Sequence, residues 1–193
     1  ENLAFTDSNL EGGKKYSYKV AGISQKGEGA LSAETNSLLT APFKPETFEI
    51  TSIYSAHIGL KWNKVETSTK YRIYVSENVT SGFKEIKSTT DQYSVLSGLK
   101  SDTVYYIKVS AENSGGESEL SKQISARTLP PPPTGVKVKA LNTTSLLVQW
   151  NLLKGATSYN IYRVQETENC KGEPANCKYE IIASDWGSTT YAD

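Results

Sequence analysis

An internal repeat is the strongest constraint on how this 193-residue chain folds. Pro45, Trp62 and Tyr71 recur 88 residues later as Pro133, Trp150 and Tyr159. Ile58, Leu60 and Ile73 recur at the same offset as Leu146, Val148 and Ile161. In the other direction, Leu99, Tyr105, Val109, Gly116 and Ser121 repeat Leu10, Tyr16, Val20, Gly27 and Ser32 at an offset of 89. A fixed period marks one structural unit used more than once. The middle of the chain therefore holds a complete unit, preceded by the back half of another and followed by the front half of a third. The opening Phe5-Thr6-Asp7 and the closing Tyr191-Ala192-Asp193 are then one motif met twice. With no methionine anywhere, the chain reads as an excised piece of a longer one.

The repeated residues alternate. Ile58-Gly59-Leu60-Lys61-Trp62, Tyr71-Arg72-Ile73-Tyr74-Val75 and Tyr105-Tyr106-Ile107-Lys108-Val109 each place apolar side chains two apart, and Ser, Thr, Asn, Gly or Lys bound each run. Alternation of this kind gives a strand with one face buried. Short strands at such spacing predict an antiparallel sandwich, and a unit of about 88 residues is close to the roughly 100 typical of seven strands. No stretch sustains the helical period.

The unit resembles a fibronectin type III domain. The residues that carry the likeness are Pro45 at its start, Trp62 on the second strand, Tyr71 on the third, and Leu99 with Tyr105 six residues on. The run Val109-Ser110-Ala111-Glu112-Asn113-Ser114-Gly115-Gly116-Glu117-Ser118 completes it. The resemblance implies an all-β fold of tandem immunoglobulin-like antiparallel sandwiches, with Tyr105 as a corner tyrosine bonded back to the backbone. It also divides the chain. Residues 1–41 are the C-terminal part of one repeat, 42–129 a complete repeat, and 130–193 the N-terminal part of a following repeat. Each half would leave core residues wet and strand edges unpaired. The two halves are complementary, so the head of one molecule is expected to be able to complete the tail of another, as in donor-strand pairing.

Two junctions follow. Pro130-Pro131-Pro132-Pro133 favours an extended, semi-rigid spacer. Ala41-Pro42-Phe43-Lys44-Pro45 is shorter, with Phe43 expected to wedge between modules.

Candidate chemistry is sparse. Lys plus Arg is 21 and Asp plus Glu is 21, so the formal net charge is zero, which argues against a nucleic-acid or polybasic membrane partner. His57 is the only histidine and has no companion for a metal site or a nucleophile to serve. No carboxylate pair or phosphate loop stands out, and no cofactor is implied. Cys170 and Cys177 fall in a hairpin loop about ten residues longer than its counterpart in the middle unit, and a disulfide across its base is expected, implying an oxidising compartment. Asn78-Val79-Thr80 and Asn142-Thr143-Thr144 are glycosylation acceptor motifs in predicted loops. Trp186 stands outside the repeated core pattern, as a recognition aromatic or as packing over a sandwich rim. The Arg-Gly-Asp and Trp-Ser-x-Trp-Ser motifs carried by some relatives are absent.

The reading that results is a non-catalytic binding or spacer array, extracellular or at the cell surface. Its partner is a protein or a glycan, with adhesion as one role. The alternative is a set of accessory linker modules in a secreted polysaccharide-degrading enzyme. A row of exposed aromatics on the middle sandwich would favour glycan binding, and polar faces would favour a spacer.

Overall fold

The computed structural model describes residues 4–165 and 177–193. Every regular element among them is a β-strand, and every pairing is antiparallel. The chain divides into two compact units, Glu1–Leu129 and Pro130–Asp193.

The first unit begins with four two-residue strands, β1 (Lys15–Tyr16), β2 (Ile23–Ser24), β3 (Gly27–Glu28) and β4 (Leu38–Leu39). β1 pairs β4, and β2 pairs β3. Longer strands follow: β5 (Phe48–Ile53), β6 (His57–Trp62), β7 (Lys70–Ser76), β8 (Lys84–Thr89), β9 (Tyr93–Ser97), β10 (Val104–Asn113), β11 (Gly116–Glu117) and β12 (Ile124–Arg127). They form two sheets, one ordered β5-β6-β9 and the other β11-β10-β7-β8 with β12 also on β10.

The alternation read from the sequence is the alternation of burial. Tyr71, Ile73 and Val75 on β7 and Tyr105, Ile107, Val109 and Ala111 on β10 turn inward onto Ile58, Leu60 and Trp62 of the opposite sheet, all at most 9% exposed. Trp62 packs on Phe48 and on Tyr71, with ring centroids 6.2 and 5.5 Å away. Two tyrosine hydroxyls hold loops to this core. Tyr71 accepts from the Val65 N–H at 2.8 Å, and Tyr105 accepts from the Lys100 N–H at 2.9 Å. The second is the corner bond that the resemblance implied, and Tyr16 repeats it by accepting from the Glu11 N–H at 3.1 Å.

The head reproduces the hairpin of the complete sandwich bond for bond. Ser32 N donates to the Val20 carbonyl and Val20 N to the Ser32 hydroxyl, as Ser121 and Val109 do. Residues 1–41 fall in the same compact unit as 42–129 because the head docks on the middle sandwich through backbone. Asn113 Nδ2 donates to the Thr40 carbonyl at 3.0 Å. A Cβ at Gly115 would lie 2.0 Å from the Leu39 carbonyl oxygen, and one at Gly13 would lie 2.2 Å from Thr67 Oγ1. Phe43, 64% exposed, lines this joint beside Gly12.

The second unit carries β13 (Lys137–Ala140), β14 (Leu146–Gln149), β15 (Tyr159–Arg163), β16 (Glu180–Trp186) and β17 (Thr190–Ala192). β13-β14-β17 form one sheet and β15-β16 another. Trp150 and Tyr159 repeat the Trp62–Tyr71 contact at 5.2 Å, and Tyr159 accepts from the Leu153 N–H at 3.0 Å just as Tyr71 does from Val65.

Candidate functional site

Two surfaces could carry function: the outer face of the β7–β10 sheet, and a cleft in the second unit. The face comes from the outward half of the alternation. Because Tyr71 and Ile73 point in, Lys70, Arg72 and Tyr74 point out, and Tyr106, Lys108, Ser110 and Glu112 of β10 join them. Arg72 sits at the centre. Its Nε donates to Glu112 at 2.5 Å and its NH1 to Glu85 on β8 at 2.6 Å, while Lys70 pairs with Glu112 at 3.0 Å. Glu117 on β11 accepts from the hydroxyls of Tyr74 and Ser110, both at 2.5 Å. Lys108 lies 4.2 Å over the Phe83 ring.

These charges satisfy one another. The Arg72 hydrogen bond, with Lys70 beside it, holds the Glu112 carboxyl down at about 2. Desolvation and the bond to Glu117 push the Tyr74 hydroxyl up to about 12, which keeps it a donor. The carboxylates are engaged as acceptors. The face is ion-paired at its centre, and Tyr74, Tyr106 and Phe83 lie around Lys108 on it.

The cleft lies between the two sheets of the second unit. It is about 230 Å³, apolar, and lined by Pro133, Val136, Val148, Trp150, Tyr159 and Ile161 along β15. Its counterpart in the first unit is filled. Pro45, Leu60, Tyr71 and Ile73 are each under 2% exposed, with Tyr105, Ile107, Val109 and Ala111 of β10 completing the core that holds Leu60, Tyr71 and Ile73. Ile58 is fully buried, whereas its equivalent Leu146 is 45% exposed. Among the described residues β15 pairs only with β16, which leaves its other edge open.

The residues singled out in the sequence fall in separate places. His57 is exposed at the start of β6. Asn78 and Asn142 are exposed in loops. Trp186 packs edge-on against Tyr191 at 5.2 Å and donates its Nε1–H to the Thr190 carbonyl at 2.7 Å, the arrangement of a rim residue. Cys170 lies outside the described residues, so the Cys170–Cys177 pair does too; no cysteine is free among those described. No cluster of three or more His, Cys, Asp or Glu side chains is placed to hold a metal ion among the described residues. No helix there is long and apolar enough to cross a membrane. Sequence reasoning did not find the Arg72 cluster, because its members come from four strands and only the register brings them together.

The family profile described as Fibronectin type III domain matches residues 43–127. The chain belongs to the fibronectin type III family. It is 30% identical over 181 residues to human receptor-type tyrosine-protein phosphatase F, covering 85% of this chain and 9% of that protein. It is also 30% identical over 165 residues to the human cell adhesion molecule DSCAM, covering 78% of this chain and 8% of that protein. The chain thus spans under a tenth of the length of these two relatives. Among solved structures, the fibronectin type-III domain of human fibronectin type III domain containing protein 3 aligns at 25% identity and a TM-score of 0.44, covering 50% of this chain and 94% of that one.

The depressed Glu112 carboxyl makes stability depend on acid. A carboxylate held below its ordinary value of 4.5 contributes stability that is complete above that value and is lost as pH falls toward about 2. Thermal melting of the chain is expected to weaken across that window, and Glu112→Gln is expected to flatten the slope. Parallel melting curves for the two proteins from pH 5 to pH 2 would remove the pairing from the account.

Proposed function

We propose that the chain is a non-catalytic spacer and binding segment of an extracellular or cell-surface protein, whose modules are held in fixed orientation at the head-to-middle joint. Residues 1–41, 42–129 and 130–193 are its three module parts. The observation that carries the reading is the placement of glycine at that joint. Gly115 and Gly13 both abut the neighbouring module, where a Cβ would collide. Gly13 lies at φ 70°, where its own turn already favours glycine, whereas Gly115 has no positive φ to account for it, so Gly115 carries the reading. The matching position to Gly115 in the head turn is Lys26, and the matching position to Gly13 in the complete module is Asp102, which adopts φ 52° with its side chain in place and bonds Arg127. At Gly115 glycine appears where the modules touch, and at Lys26 a side chain appears where they do not. The pattern is that of a joint selected for close approach.

The ion pairs of the Arg72 cluster on β7 and β10 support the spacer role, and Trp186, 37% exposed, packs edge-on against Tyr191 at the rim. The alternative of accessory linkers in a polysaccharide-degrading enzyme would call for exposed aromatics in a row. Similarity to a receptor-type phosphatase and a cell adhesion molecule supports the cell-surface assignment and a protein partner. An extracellular chain would also carry the Cys170–Cys177 disulfide, worth about 2–3 kcal/mol for so small a loop. Alkylation of the unreduced native chain is expected to find no thiol. Two reactive thiols would overturn both the disulfide and the oxidising location.

Gly115→Val tests the joint. Small-angle scattering is expected to show a broader distribution of interatomic distances as the head comes off, with the melting transition of the complete sandwich unchanged. A scattering profile that superimposes on wild type would sink the fixed joint.

A second reading concerns self-association, and the open β15 edge favours it. The strand that fills the equivalent cleft in the complete module is β10, and Tyr16, Tyr18 and Val20 repeat the inward positions of that strand, with Val20 72% exposed. The head of one molecule can therefore add to the tail of another. Light scattering after size exclusion is expected to give a mass that rises with concentration, and a monomer throughout for Val20→Asp. A constant monomer mass for the unaltered chain would end this reading.

A further inference from the structure

The two Asn-x-Thr segments lie in different units and different sequence surroundings, yet they take one conformation. Asn78 follows β7, in the loop leading to β8. Its Oδ1 accepts from the Thr80 N–H at 3.0 Å and from the Thr80 hydroxyl at 3.2 Å. Asn142 lies in the loop between β13 and β14. Its Oδ1 accepts from the Thr144 N–H at 2.9 Å and from the Thr144 hydroxyl at 3.1 Å. All of these residues are exposed.

The loops are built to hold this turn. Ser76, only 6% exposed, accepts from the Asn78 N–H at 2.9 Å and donates to the Ser81 carbonyl at 2.6 Å. In the other loop, Leu141 N donates to the Ser145 carbonyl at 2.9 Å. In both, the threonine N–H and hydroxyl hold Oδ1, and Nδ2, the atom that must react, makes no hydrogen bond among the described residues. Asn113 provides the internal contrast. It forms the same turn, with Oδ1 accepting from the Gly115 N–H at 2.7 Å, but the third residue has no hydroxyl and Asn113 is 6% exposed. Its amide is spent on the Thr40 carbonyl at the joint.

We propose that Asn78 and Asn142 are acceptors of N-linked glycans, presented in preformed turns on the folded chain. The donor is a lipid diphosphate-linked oligosaccharide of the secretory pathway. Transfer forms the bond from Asn Nδ2 to the anomeric carbon and breaks the bond from that carbon to the phosphate oxygen. The lipid diphosphate leaves, and Nδ2 gives up one proton. The assignment rests on the extracellular reading above. It adds to the spacer role a hydrated bulk on one loop of the complete module and one loop of the second unit, where it would guard exposed residues such as Val79 and Leu141.

The test is to produce the 193-residue chain behind a cleavable secretory leader in cultured eukaryotic cells and to measure its intact mass before and after peptide N-glycosidase. That enzyme converts each occupied asparagine to aspartate and so marks the site. Two occupied sites are expected in the wild type, one in each of Thr80→Ala and Thr144→Ala, and none in the double variant. Thr→Ser at either position is expected to keep occupancy. An unmodified asparagine at either position overturns the assignment there, as does a glycan that survives loss of the hydroxyl. The chain retained in cells is read in the same way as the secreted chain. Poor secretion with occupied sites would therefore count against the extracellular reading and not against the acceptors.

Discussion

The fold depends on one long strand paired between others. β10 pairs with β7 on one side and β12 on the other, and its inward side chains close the core over Trp62 and Tyr71. Tyr105, Ile107, Val109 and Ala111 are at most 5% exposed, and burying a large apolar side chain contributes roughly 1.5–3 kcal/mol. The second unit shows what the strand does by having no equivalent among its described residues. The Trp150–Tyr159 contact and the Tyr159 hydroxyl bond still form, because both lie within the early strands. What is missing is closure, and the cleft along β15 is the result.

The same strand organises the polar side of the molecule. Its outward residues meet those of β7 in register, and that register places Glu112 within reach of both Lys70 and Arg72. A charged cluster at the centre of a sheet face, satisfied internally, resists adventitious pairing with other surfaces. Its turn with β11 also supplies Asn113 and Gly115, which receive the backbone of the preceding module. Core, face and joint are therefore consequences of one ten-residue strand.

Function in such a chain lies in where modules are held and in what their loops present. The comparisons place it beside a receptor-type phosphatase and a cell adhesion molecule, of which it covers 9% and 8%, and the fold alone does not select a partner. The glycine joint, the ion-paired face and the two asparagine turns are local features of this chain, and they carry the reading further than the family does.

Periodicity of two was enough to read the sandwich and the inward set from sequence, because strand alternation decides facing before any contact forms, while the corner at Tyr105 was implied by the family resemblance. The repeat likewise made the Trp150–Tyr159 pair legible. Three things were decided only by tertiary structure. The Arg72 cluster needed strand register, since Glu85, Glu112 and Glu117 are 13, 40 and 45 positions away along the chain and no local pattern links them. The joint needed docking, since Gly115 reads as a turn residue until the Leu39 carbonyl is found against it. The short head strands needed it too. Tyr16 and Val20 have the pattern of a long strand, but with no partner for their apolar faces only the hairpin bonds and the corner survive, because a strand's length is set by what it pairs with as much as by its own residues.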